Sequence, residues 1–348
     1  MANKRKSPEP IESLIHNIYS LNKEYIEEWI ESGGNINETD SDDKTLLYHA
    51  IEKERIELVR VLWECGADVN MTFSIAATEG RLEIVKLLIE HNADVNKANN
   101  NGWTPLISAA TRGHSGTVKL LIEHNADVNK VNAYGYTPLY NATAEGHLDI
   151  VKLLIEYNAD VNKANIYGYS PLWNASDKGH LEIVKLLIEH NADVNKANNC
   201  GQTPLHSAVA QGHLGIVKLL IERNADVNKS QSSGHTPLSL AVARGRMGIL
   251  KLLIEHNATI YTKTIKGDTV LDIAIEKNNQ EIIQVVRQTI EIPWNTQRHH
   301  LYPPKVRQQI STVLKIRNRQ TLFRQLPKEI LFIIFKFVVS WPFPTLVF

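Results

Sequence analysis

Only two of the 348 residues are cysteine, so no disulfide framework holds this chain together. Cys65 and Cys200 are far apart in the chain, too far to bridge in a stacked array, which points to a reducing, cytoplasmic compartment. Neither sign of charge prevails: 38 Lys and Arg balance 38 Asp and Glu, so overall charge implies no polyanionic partner such as nucleic acid. No uninterrupted apolar run reaches the ~18–20 residues that span a bilayer, so no membrane partner is expected. The opening MANKRKSPEP has basic residues but no apolar run behind them, unlike a secretory signal. Lys4-Arg5-Lys6 reads as part of a solvated tail, with nuclear import as the alternative. A phosphate-cradling glycine loop, H-E-x-x-H and G-x-S-x-G are all missing, so neither an enzyme nor a cofactor is expected.

What the chain has in quantity is repetition. Residues 101–130 read NGWTPLISAATRGHSGTVKLLIEHNADVNK, and close copies follow. Their prolines, Pro105, Pro138, Pro171, Pro204 and Pro237, are each 33 residues apart. A fixed period of that length marks a solenoid, in which each unit buries its apolar face against its neighbours. Thr104-Pro105 predicts a helix start: a capping hydroxyl, then proline at the first helical position, where its missing N–H costs nothing. Leu106, Ala109 and Ala110 predict a short helix with one small-residue side, ended by Gly113. Val118, Leu120, Leu121 and Ile122 predict a second helix, and Asn125 to Asn129 a turn running on to Gly135.

Helix, turn, helix and hairpin over 33 residues resembles the ankyrin repeat. The motifs that carry the resemblance are G-x-T-P-L, G-H and A-D-V-N, as they stand at 135–139, 146–147 and 159–162. The resemblance implies an all-α ankyrin-repeat solenoid with short β-hairpin fingers, a monomer that binds a target protein. It also implies that Asn96, Asn129, Asn162, Asn195 and Asn228 match a pattern that is hydroxylated in some ankyrin proteins.

Residues 1–10 are expected to form a disordered tail, 11–290 an ankyrin-repeat domain of about nine units, and 291–348 a small C-terminal helical segment. The unit from Ile11 to Asn37 lacks Thr-Pro-Leu and reads as a worn N-terminal cap. The last unit, at Gly267 to Thr289, is likewise degraded. Between them the register breaks once: Ala67 to Ala93 spans 26 residues, seven short of the period. The missing residues are those of the hairpin finger, so the stretch at 71–77 predicts a shortened, blunt finger and a local irregularity in the array.

In an ankyrin-like unit the residues flanking the finger glycine, with those of the first helix, line the concave face. Here they read Trp103, then Tyr134, Tyr136 and Tyr140, then Tyr167, Tyr169 and Trp173. Tyr and Trp are enriched in binding hot spots because they bury much area at low entropic cost. Tyr140 and Trp173 also suit a purely structural role at the finger-to-helix junction. Arg112, Glu145, Asp177 and Lys178, at first-helix ends, would supply a charged rim. His114, His147, His180 and His213 recur at the same period. Equivalent residues of stacked units stand about 10 Å apart, whereas zinc needs ligands at about 2.1 Å. These histidines are therefore predicted to cap or pack, and no metal is expected.

Beyond residue 290 the period stops. Leu326-Pro327-Lys328-Glu329-Ile330-Leu331, followed by Ile334-Phe335, resembles the opening of an F-box. Ankyrin arrays ending in such a segment resemble poxvirus ankyrin proteins and ankyrin effectors of intracellular bacteria. That resemblance implies a Skp-type or elongin-type adaptor and a cullin–RING ubiquitin ligase as partners, docked through Leu326, Pro327, Ile330, Leu331, Ile334 and Phe335, in a host cytosol. The alternative is a passive scaffold or decoy whose tail only caps the array.

Overall fold

The computed structural model describes residues 8–291, which divide into two compact units between Asp193 and Val194. The first unit holds α1 (Ile11–His16), α2 (Lys23–Glu31), α3 (Leu46–Glu52), α4 (Ile56–Glu64), α5 (Val69–Thr78), α6 (Leu82–Glu90), α7 (Pro105–Arg112), α8 (Ser115–Glu123), α9 (Pro138–Glu145), α10 (Leu148–Glu156), α11 (Pro171–Lys178) and α12 (Leu181–Glu189). The second holds α13 (Pro204–Gln211), α14 (Leu214–Glu222), α15 (Pro237–Ala243), α16 (Met247–Glu255), α17 (Val270–Glu276) and α18 (Gln280–Glu291). The described residues are helical with no sheet; isolated bridges join Thr39 to Thr45 and Lys263 to Thr269. Among them no helix is long and apolar enough to cross a membrane.

The helix ends follow from the repeated motif. Thr104, Thr137 and Ser170 stand at the N-caps of α7, α9 and α11, and their hydroxyls accept the backbone N–H three residues on, at 3.0–3.2 Å. Proline takes the next position in each. Gly113, Gly146 and Gly179 close the same helices in the left-handed conformation. After the second helices the left-handed residue is an asparagine instead: Asn125, Asn158 and Asn191 have φ of 65°, 62° and 65°.

In the first unit the odd-numbered helices pack side by side, α1 through α11, and the even-numbered ones form a second layer behind them. The core between the layers repeats with the period. Leu106, Leu139 and Leu172 come from the first layer; Val118 with Leu121, Val151 with Leu154 and Val184 with Leu187 come from the second, all at most 1% exposed. Each such side chain contributes about 1.5–3 kcal/mol by leaving water. The second unit repeats this, with α13, α15 and α17 in one layer and α14 and α16 in the other, around Leu205, Leu238, Val217, Leu220, Leu250 and Leu253.

One expectation is corrected. The finger near 71–77 is not blunt but missing, because α5 begins at Val69. From Ala126 to the capping Thr137 there are eleven steps; from Ala67 to Met71, at the same register, there are four. Four residues cannot close a turn and return, so the helix starts inside the turn and absorbs it. Phe73 sits where Leu106 sits one period later and is fully buried, so the core stays in register.

Candidate functional site

The two tyrosine-bearing fingers are each built by a buried asparagine. The Asn132 side-chain oxygen accepts the N–H of Tyr134 (2.9 Å) and of Tyr136 (3.0 Å). The loop is closed by Gly135 N–H to Asn132 O (2.9 Å) and Asn132 N–H to Tyr136 O (3.1 Å). Asn165 does the same for Tyr167 and Tyr169, at 3.0 Å each. An Asn-x-x-Gly turn suits both residues: asparagine mimics a backbone acceptor and glycine supplies the positive φ, 76° at Gly135. Glycine is required there twice over, since a Cβ on Gly135 would lie 2.9 Å from the backbone nitrogen of Ile166.

This scaffold turns one tyrosine of each finger outward and the other toward the helix. Tyr134 and Tyr167 are 47% and 50% exposed, and Val131 and Ile166 lie open beside them. Tyr136 and Tyr169 are half-buried. Tyr136 stacks on Tyr140 with centroids 4.7 Å apart and planes 9° apart, and Tyr134 lies 5.9 Å from Tyr136. In the next repeat Tyr169 lies 4.3 Å from Trp173. Tyr140 is buried, its hydroxyl accepting from the Asn165 amide (3.3 Å), and burial pushes its phenol pKa well above the ordinary value. Tyr140 therefore supports the face rather than forming it. Trp173 is half-buried, and its buried indole N–H has no partner among the described residues.

The other candidates are spread more widely. Trp103 is half-buried, its carbonyl accepting from Ser74 (3.3 Å), and its ring joins neither aromatic group. Arg112, Glu145 and Lys178 are exposed and Asp177 is half-buried. Leu326, Pro327, Ile330, Leu331, Ile334 and Phe335 lie outside the described residues.

The periodic histidines bind backbone. The His114 Nε2 lies 2.8 Å from the carbonyl of Thr78, that of His147 3.1 Å from Thr111 and that of His180 3.3 Å from Ala144. A carbonyl only accepts, so Nε2 must carry the proton. The acceptors belong to the last turn of the preceding first helix, where carbonyls lack helical partners. Arginine serves at the same position elsewhere: Arg55 donates to Ile18 O (2.8 Å), Arg81 to Glu52 O (3.5 Å) and, within the second unit, Arg246 to Ala210 O (3.3 Å). Among the described residues no three metal-ligating side chains converge.

Two structural roles escaped the sequence reading. The finger asparagines Asn99, Asn132, Asn165 and Asn198 recur at 33, a signal masked by the many other asparagines. The A-D-V-N asparagines tie consecutive repeats: Asn129 accepts from Asp160 N–H (2.8 Å) and donates to Asn158 O (3.3 Å), and Asn162 does likewise with Asp193 and Asn191.

Models of the ankyrin repeat match residues 42–71, 73–165, 162–231 and 224–293. Among solved structures, the crystal structure of the human ASB11 ankyrin repeat domain matches with a TM-score of 0.57 at 29% identity, covering 62% of this chain and 96% of that one. No curated protein matches.

Proposed function

The chain belongs to the ankyrin-repeat family, and we propose that it is a non-enzymatic adaptor which grips a target protein on the aromatic face of its first unit. The observation that carries this reading is the recurrence, in consecutive repeats, of an exposed finger tyrosine (Tyr134, Tyr167) and a ring pair (Tyr136–Tyr140, Tyr169–Trp173). Rigid aromatics anchored on buried neighbours form a preorganised surface, and such side chains supply most of the energy in protein interfaces. Trp103 extends the face by one repeat, and Arg112, Glu145, Asp177 and Lys178 form its rim. The test replaces Tyr134 and Tyr167 with alanine. Both are half open, so stability changes by less than about 0.5 kcal/mol, whereas recovery of the partner from lysate falls at least tenfold. Unchanged recovery refutes the assignment.

The finer part of the proposal gives the C-terminal pattern at Leu326–Phe335 the docking of a cullin–ligase adaptor, in the cytosol. A chain ending at Gln325 then loses cullin while keeping the target. If neither chain recovers cullin, the protein is a binding scaffold alone.

A further inference from the structure

Neighbouring fingers are joined by one main-chain hydrogen bond each. Ala133 N–H donates to Asn101 O (3.1 Å) and Ile166 N–H to Tyr134 O (3.2 Å). The second unit has the same bond from Ser232 to Cys200 (2.9 Å) and from Ile265 to Ser233 (3.2 Å). Within each finger tip, one residue donates backward and the carbonyl of the next accepts forward. Within the first unit the row is interrupted beside α5.

The wall on one side is the finger at 40–44, closed by Asp40 N–H to Lys44 O (2.9 Å) and Asp43 N–H to Asp40 O (3.1 Å). The wall on the other is the finger at 99–103, closed by Asn99 N–H to Trp103 O (3.0 Å) and Gly102 N–H to Asn99 O (2.9 Å). By register, the missing finger would have given an N–H to the Asp42 carbonyl and accepted from the Asn100 N–H. Neither group has a partner among the described residues, and both residues are exposed. The packed helices α3, α5 and α7 keep the two walls apart. The first wall is acidic: Glu38, Asp42 and Asp43 are all exposed on it, with Lys44 as the cation within that finger. Asp40 is already engaged by the Lys44 N–H and by His49 (2.9 and 2.8 Å).

We propose that this gap is a docking slot for a reverse-turn loop of a partner protein, basic at its tip, which supplies the missing finger in trans. Main-chain pairing gives such a loop its register, and the carboxylates select its charge. The proposal is independent of the aromatic face.

The probe is a cyclised peptide copying residues 130–137 with lysine at the position of Ala133, titrated onto the full chain while amide exchange is followed at 97–103. Two variants accompany it. One copies residues 130–136 between Asn70 and Met71, with Met71→Thr to restore the cap, and so fills the slot in cis. The other is Asp42→Asn with Asp43→Asn, which alters only exposed side chains. The expected result is micromolar binding that slows exchange at Asn100, is lost in the finger-restored chain, and weakens about fivefold in the double Asn variant or when the lysine is replaced by glutamate. Absence of binding below millimolar, protection elsewhere than at the slot, or equal affinity for the finger-restored chain overturns the slot. Charge-insensitive binding overturns its basic occupant. Should the restored chain fail to fold, the charge variants and the site of protection still decide the matter.

Discussion

Acid should destabilise the second unit through one side chain, His206. It lies on α13 and is 1% exposed. Its Nδ1 accepts the Thr203 N–H at 3.2 Å, completing a capping box, while Nε2 is buried. Burial lowers its pKa from the ordinary 6.5 to about 4, against a smaller opposing pull from the carbonyls of His235 and Lys229. Because the folded value is depressed, the unfolded chain binds the proton first. Stability is therefore complete above about pH 6.5 and falls as pH drops from there through 4. A gap of about 2.5 units, at about 1.36 kcal/mol per unit, puts the full effect near 3 kcal/mol. His235, also lowered by burial, titrates in the same direction, so the measurement must be a difference. Urea unfolding of wild type and His206→Gln at pH 7 and pH 4.5, with hydrogen exchange at 203–211 to isolate the local event, supplies it. The wild type should lose about 2–3 kcal/mol more than the variant over that interval. Parallel losses would mean that His206 is solvated or paired in its charged form, and the reasoning from burial would fail.

Three further outcomes follow from the packing. Leu139→Ala empties a fully buried site between the layers and should cost about 2–5 kcal/mol in chemical denaturation. Gly135→Ala forces a Cβ against the Ile166 backbone at positive φ and should cost about 1–3 kcal/mol, with exchange rising at Tyr134 and Ile166. Thr137→Ala removes the cap hydroxyl that accepts from Tyr140 and should cost about 1 kcal/mol, lowering the melting temperature without altering the far-ultraviolet spectrum.

The fold was legible because its determinants are local and repeated. Thr-Pro-Leu or Ser-Pro-Leu, the closing glycine and the 33-residue step each specify a backbone event within a few residues, and the five copies from Pro105 to Pro237 agree. The periodic histidines were legible as structural for a related reason: side chains about 10 Å apart cannot share an ion. What they bind was not legible, since the acceptor is a carbonyl 36 residues back, and a carbonyl leaves no mark in the sequence. The aromatic face was half legible. Its residue types and register could be read, but exposure depends on which way Asn132 and Asn165 turn each finger. That is why Tyr134 and Tyr167 are open while Tyr136 and Tyr169 lean on their helices. The deficit of seven residues at 71–77 and its assignment to the finger were legible from register alone; that α5 would begin as early as Val69 and absorb the turn was not.

The absorbed finger also explains why the aromatic residues sit where they do. Four kinds of link join one repeat to the next: apolar packing in both layers, the His or Arg side chain to a helix-end carbonyl, the A-D-V-N asparagine to the following turn, and the finger bond. Losing the finger beside α5 leaves the first two in place, for Arg81 still reaches Glu52 and His114 still reaches Thr78, and α5 packs on both α3 and α7. The stack therefore does not depend on its fingers. A finger can therefore be lost without unstacking the helices, so its length and its exposed residues are free to vary. Exposed tyrosines at two finger tips and a missing tip elsewhere are two uses of the same freedom: one adds exposed aromatic surface, the other leaves a gap between its neighbours.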